Sequence, residues 1–439
     1  MSTSKRELKP MAITNAQTRT ATVSSPASSN KVALAVVTTL FFMWGFLTVL
    51  NDVLVPHLKS IFDLNYTKAL LIQFSFFSAY FFFSTPAARV IDWIGYRKTM
   101  VVGLCTMGLG ALLFIPAASI PSYPLFLGAL MVLAAGITAL QVAANPYVAV
   151  LGPPETASSR LNLAQAFNSL GTTIGPYLGG MLILNATHQN MDTVRQMSVD
   201  ALQAYRIHEA SSVKLPYLIM GLTLIGLGVV IALFNLPAMP EAERHGAAGS
   251  RESVWKYRHL VLAAIGIFVY VGAEVSIGSF LINYFTQTNI GNVSEVVAAG
   301  YVSYYWGGAM VGRFIGSAIL QKARTDVVLG IAALVACALV ASSMLTFGHV
   351  AMWTIILVGF FNSVMFPSIF TLGIAKLGPL TGDGSGLLVM AIVGGAVIPL
   401  LQGALADRIG IHHAFILPAI CYLYIAYYAF RGSRPMVVA

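Results

Sequence analysis

Two carboxylates stand in stretches of sequence that are otherwise apolar, Asp52 and Glu274, and neither has a basic residue within one helical turn on its own segment. A charge near the centre of a bilayer costs about 2.5–3.5 kcal/mol on insertion scales, so an acid placed there is a candidate for binding a proton or a cation. Asp52 follows Trp44, Thr48 and Asn51 at offsets that stack on one face of a 3.6-residue helix. Similar polar stripes recur at Gln73, Phe77, Tyr80 and Ser84, at Thr138, Gln141 and Asn145, and at Gln165, Asn168 and Thr172, while the second half adds Glu274, Tyr304, Tyr305, Trp306 and Asn362. Amides, two acids and aromatic faces suit a sugar, whose hydroxyls need both donors and acceptors and whose C–H faces stack on rings. The same amides could instead bond helix to helix.

Other chemistries find little support. No Gly-Lys dipeptide occurs, so there is no phosphate-cradling loop of the Walker type. The eight histidines, at 57, 188, 208, 245, 259, 349, 412 and 413, make no ligand-spaced cluster with cysteine, and His412-His413 reads as a solvated loop pair. Cys105, Cys337 and Cys421 each lie in an apolar stretch and read as small buried hydrophobes. Neither a metal, an organic cofactor nor an enzymatic reaction is expected, the coupling ion being H⁺ or Na⁺.

The elements that must position these residues are membrane helices. Of 439 residues 57% are hydrophobic and 9% charged, against roughly 25% charged in a soluble domain. Twelve segments reach the ~20 apolar residues needed to cross the hydrocarbon core: 33–55, 69–91, 99–118, 123–150, 163–185, 214–236, 260–286, 298–320, 327–347, 350–376, 386–406 and 412–430. With the N-terminus inside, 19 of the 25 Lys and Arg, Arg313 among them, fall on the inner side. That bias places both termini in the cytoplasm and makes the net charge of +9 an orientation signal rather than a nucleic-acid footprint. Residues 1–30 read as a disordered cytoplasmic tail, 31–236 as a six-helix bundle, 237–259 as a charged cytoplasmic linker, 260–431 as a second six-helix bundle and 432–439 as a short tail. Residues 186–213 form a long outer loop.

Repetition supports the division. Leu151-Gly152-Pro153 follows the fourth span and Leu377-Gly378-Pro379 the tenth, and each precedes a span with a central proline, Pro176 or Pro399. Between the second and third spans stands Asp92-Trp93-Ile94-Gly95-Tyr96-Arg97-Lys98, which resembles the signature of the major facilitator superfamily, with a partial echo at Asp407-Arg408-Ile409-Gly410. Leu50-Asn51-Asp52-Val53-Leu54-Val55-Pro56, Ala143-Ala144-Asn145-Pro146-Tyr147-Val148 and Arg160-Leu161-Asn162-Leu163-Ala164-Gln165-Ala166-Phe167-Asn168-Ser169 resemble, within it, the fucose, galactose and glucose symporter family.

That resemblance implies an all-α fold of twelve transmembrane helices in two bundles around a central cavity, and proton-coupled hexose uptake across a bacterial inner membrane. It implies coupling and sugar binding at Asp52, cavity positions at Trp44, Asn51, Gln165 and Asn168, and an inner-gate latch at Asp92, Gly95, Arg97 and Lys98. A departure limits the transfer: the fucose carriers have Glu on the fourth span where this chain has Gln141, and Gln on the seventh near Glu274. The glucose and galactose branch is the nearer one, with a monomer expected. Fucose or N-acetylglucosamine uptake stands as the alternative. Gly171, Gly175, Pro176, Gly179 and Gly180 resemble the antiporter motif of drug exporters, which keeps sugar or drug efflux open, although small residues also serve close helix packing.

Overall fold

The computed structural model describes residues 31–46, 66–120, 122–183, 214–234, 236–237 and 253–435, with 197–198, 200–201 and 211 of the long loop. Asn51, Asp52, the N-terminal tail and most of the 186–213 and 237–259 segments lie outside the described residues. The described chain is helical, without strands, as a backbone in lipid must satisfy its own polar groups. The helices of the first half are α1 (Lys31–Phe46), α2 (Tyr66–Ser119), α3 (Tyr123–Val150), α4 (Ala157–Ile183) and α5 (Lys214–Leu233). The second half holds α6 (Arg258–Phe285), α7 (Glu295–Ile319), α8 (Thr325–Leu345), α9 (Gly348–Asn362), α10 (Met365–Gly373), α11 (Thr381–Met390), α12 (Gly394–Ile409), α13 (Ile411–Ala414) and α14 (Ile416–Tyr427).

Eight described helices are long and apolar enough to cross a membrane by length and composition. The helices α4 and α7, of comparable length, carry more polar residues and are not among them. Leu222, Val229, Leu233, Leu334, Leu345 and Ile420 are all exposed, a surface that suits lipid rather than water. The order of helices is consistent with twelve spans, because α2 is two helices joined at Gly95. The positive φ of that residue (79°, ψ 169°) is open to glycine and lets the chain reverse inside the Asp92–Lys98 motif. Gly410 repeats the conformation (φ 82°, ψ 155°). It sits at the opposite end of the molecule, where His412 is buried, stacks on Phe347 at 5.0 Å and binds the Tyr284 hydroxyl at 3.0 Å. The echo therefore does not lie beside the Asp92–Lys98 motif, and His412 is not a solvated loop residue.

The continuous tenth and eleventh spans expected from hydropathy are each interrupted. The tenth breaks between Asn362 and Met365, and the eleventh begins at Thr381 and passes through a 3₁₀ turn at Ala391–Val393. Both breaks lie within longer, mostly apolar stretches, so hydropathy averaged over a span does not register them.

Arg160 explains part of the long motif on α4. Its guanidinium donates to the carbonyls of Val148 at 3.2 Å and Pro153 at 3.0 Å, to the Thr156 hydroxyl at 2.6 Å and to the Ala149 carbonyl, covering orphan acceptors at the end of α3. Gly152 leaves room for it, since a Cβ there would meet an Arg160 nitrogen at 2.9 Å.

The two halves meet where α4 packs on α7 and α10, and where α11 packs on α2 and α3. At the end carrying Gly95 and Gly378, here the motif end, the contact is a ladder of hydroxyls. Ser158 Oγ lies 2.5 Å from Thr371 Oγ1 and accepts from Thr325 at 3.0 Å. Ser159 donates to the Ser317 carbonyl at 2.7 Å, and Ser317 donates back to the Ser159 carbonyl at 3.0 Å. Ser385 donates to Val142 O at 2.8 Å and Asn162 to Arg313 O at 2.7 Å. Short hydroxyl side chains let helices approach closely while bonding across the gap.

Candidate functional site

Above that ladder a cavity of about 220 Å³ lies between the halves. The first half contributes Trp44, Phe76, Tyr80, Gln141, Gln165 and Asn168. Opposite stand Tyr270, Val271, Glu274, Arg313, Phe366, Pro367 and Ile392. The volume lies below the roughly 300–1,000 Å³ of sites for drug-sized molecules and suits a smaller solute. Phe366, Pro367 and Ile392 come from the two interruptions described above, so broken helices form part of the wall, as is common where a membrane protein binds solutes at mid-depth.

Several of the polar side chains are held by identifiable partners. Gln141 donates through Nε2 to the Tyr80 hydroxyl at 2.9 Å. Asn168 donates to the Phe41 carbonyl at 2.9 Å, in a region where α1 and α4 touch by backbone: a Cβ on Gly45 would lie 2.0 Å from Asn168 O, and one on Gly171 would lie 2.2 Å from Phe42 O. Gly171, a member of the antiporter-like motif, is thus a packing residue.

Glu274 does have a basic partner, from the neighbouring helix. Arg313 Nη2 of α7 lies 3.7 Å from Glu274 Oε1 of α6, with side-chain exposures of 15% and 13%. The Tyr270 hydroxyl, one turn before Glu274, donates to the same oxygen at 2.8 Å. Arg313 also donates to the Ser169 hydroxyl on α4, across the boundary between the halves. It is a cavity residue and does not belong with the cytoplasmic loop charges. Its place in the apolar run Ala309–Ile319 was the signal for this, as unusual there as the acids were in theirs.

Of the expected sugar-binding residues, Trp44, Gln141, Gln165 and Asn168 come together with Glu274 at the cavity. Tyr305 and Asn362 do not reach it. Both are fully buried behind the wall, where Asn362 Nδ2 donates to the Tyr305 hydroxyl at 2.9 Å, Tyr305 donates to the backbone carbonyl of Glu274 at 3.3 Å and Tyr270 donates to Asn362 O at 3.1 Å. Their bonds fix α6 rather than a solute. Asn145 is also fully buried, one turn from Gln141, and neither atom of its amide has a hydrogen-bond partner among the described residues. Gln73 is exposed and not part of the cavity wall, and Tyr304 and Trp306 are exposed as well. Within the Asp92–Lys98 motif, Arg97 donates to the Ala232 carbonyl near the end of α5, Asp92 is half-buried and Lys98 exposed. Besides Arg313, sequence reasoning missed Tyr270, Val271, Phe76, Phe366, Pro367 and Ile392 as cavity residues; of these Tyr270 alone carried a signal, four residues before the acid.

Residues 32–392 match the family model of the Major Facilitator Superfamily. The chain belongs to that superfamily. It is a family of membrane transporters and not of enzymes. The chain is 52% identical over 413 residues to a glucose/galactose transporter of Brucella abortus, covering 94% of this chain and 97% of the relative. To an L-fucose-proton symporter of Escherichia coli it is 36% identical, over 92% and 93% of the two chains. Among solved structures, the major facilitator transporter FucP in its outward conformation superposes with a TM-score of 0.87 at 36% identity, covering 93% of this chain and all of FucP.

Proposed function

We propose that the protein carries a hexose, glucose or galactose first, across the bacterial inner membrane together with a proton, by alternating access of the cavity between its two six-helix bundles. The observation that supports this best is the wall itself, in which Gln141, Gln165 and Asn168 face a carboxylate and a guanidinium over aromatic rings. Such a wall offers a polyol both donors and acceptors, together with rings for its C–H faces. The 52% identity to a glucose/galactose transporter agrees with the choice of sugar, and the fucose-proton symporter relative with the proton as coupling ion.

Asp52 is the assigned coupling site, because Gln141 cannot carry a proton and the other acid, Glu274, is beside a guanidinium. The Asp92, Gly95, Arg97 and Lys98 motif is assigned to the inner gate, which puts the motif end and both termini in the cytoplasm. The hydroxyl ladder at that end then corresponds to a carrier closed inward, in keeping with the likeness to FucP in an outward conformation. The protein is taken as a monomer.

Purified protein in liposomes tests this. Addition of glucose or galactose should alkalinise the external medium as proton and sugar enter together, with Na⁺ absent, and fucose and N-acetylglucosamine serve as the comparison sugars. The Asp52→Asn variant should keep sugar exchange while losing accumulation. Sugar flux that needs Na⁺, or full accumulation by Asp52→Asn, would refute the assignment.

A further inference from the structure

The acid on α6 and the arginine on α7 together raise the question of which group titrates. Arginine does not give up its proton under any accessible condition. If Glu274 were protonated during the cycle, Arg313 would remain as a cation in the membrane interior, where among the described residues the Ser169 hydroxyl is its other side-chain partner and its Nε is buried without an acceptor. Among the described residues the other titratable groups around Glu274 are Tyr270, Tyr305 and Tyr422, phenols that offer no compensating negative charge at neutral pH. A carboxylate kept charged leaves the pair neutral in sum.

The spacing between the two groups is the second observation. At 3.7 Å, Arg313 Nη2 and Glu274 Oε1 are close enough to attract and too far apart to share a hydrogen bond. Both line the cavity. A hydroxyl entering there can donate to the carboxylate and accept from the guanidinium at once, and bonds to charged partners are the strong ones.

We propose that Glu274 and Arg313 are a standing ion pair, charged in every state of the cycle, that recognises adjacent hydroxyls of the sugar and takes no part in carrying the coupling ion. This rests on the hexose-symport reading given above and adds to it a specificity device on the second bundle, leaving ion coupling to the first.

The double variant Glu274→Gln/Arg313→Gln removes both charges and keeps two amides of similar reach. In liposomes it should still accumulate glucose or galactose against a gradient with the wild-type proton-to-sugar ratio, while its KM rises about tenfold or more and its preference among hexose epimers and deoxy analogues flattens. Sugar exchange that persists with accumulation lost would overturn the proposal, since Glu274 would then be carrying the ion. If the double variant shows no exchange at all, Arg313→Lys decides: an unchanged ratio with weakened epimer discrimination supports the standing pair, and an altered ratio overturns it. Wild-type vesicles without sugar-driven proton movement would instead sink the symport reading, a result distinct from either outcome.

Discussion

Replacing one serine should open the motif end. Ser158 is buried in the first turn of α4 and holds two bonds across the bundle boundary, one with Thr371 and one from Thr325. In Ser158→Ala both are lost. Thr371 is not orphaned, because its hydroxyl already donates to the Pro367 carbonyl at 2.8 Å. The change therefore removes bonds without stranding a buried donor there. Where the serine faces water, as expected of the opposite state, its loss is neutral. Side-chain hydrogen bonds between membrane helices are worth about 0.6 kcal/mol each, so the closed motif end loses about 1.2 kcal/mol relative to the open one, on the order of an eightfold shift in their ratio. Ala88 reports that shift, being buried against Gly386 of the facing half, whose Cβ would lie 2.8 Å from that of Ala88. With Cys105, Cys337 and Cys421 replaced by alanine, an Ala88→Cys probe should react with an impermeant maleimide applied from the motif side about eight times faster in the Ser158→Ala background. An unchanged or slower rate would mean that the serine ladder does not hold that end shut.

Two further outcomes concern stability and direction. Arg160→Ala should lower the unfolding temperature in detergent, because three carbonyls and a hydroxyl lose their donor at about 0.5–1.5 kcal/mol or more apiece, and Arg160→Lys should recover only part of it since an ammonium cannot span the same fork. Gly171→Ala should destabilise by about 1–3 kcal/mol through the clash with Phe42 O, measured as a fall in thermal stability. If Gly171→Ala were instead fully stable and reversed the direction of net sugar flux in vesicles, the antiporter reading of that motif would regain its force.

The membrane class and the division in two were legible in the sequence because they depend on composition and on where Lys and Arg fall. The cavity was legible in part from polar stripes of helical period: Trp44, Gln141, Gln165 and Asn168, on three helices, each stand in such a stripe and reach one space. Period tells which residues share a face, but it does not tell which face meets which neighbour. Tyr305 and Asn362 pair with each other behind the wall for that reason, and Gln73 lies at an exposed position. Arg313 counts with the loop charges in the sequence because it stands only seven positions from the inner end of the 298–320 span. The interaction that decides it, with Glu274 on another helix, has no trace in local sequence. The break at 391–393 is hidden by its own apolarity, and the one at 363–364 by the longer apolar stretches around Asn362 and Ser363.

A single face of α4 ties these features together. Ser158, Asn162, Gln165 and Ser169 follow one another by four, three and four residues, so they form one stripe along the helix. Ser158 and Asn162 bond to the second half at the closed end, Gln165 borders the cavity and Ser169 receives Arg313. Arg313 in turn is bound at its backbone carbonyl by Asn162 and faces Glu274. A solute drawing Arg313 toward itself would therefore pull on the group that also accepts from the ladder. This is a contiguous physical link between occupancy of the cavity and strength of the closed end, of the kind a carrier needs if binding is to bias which end opens.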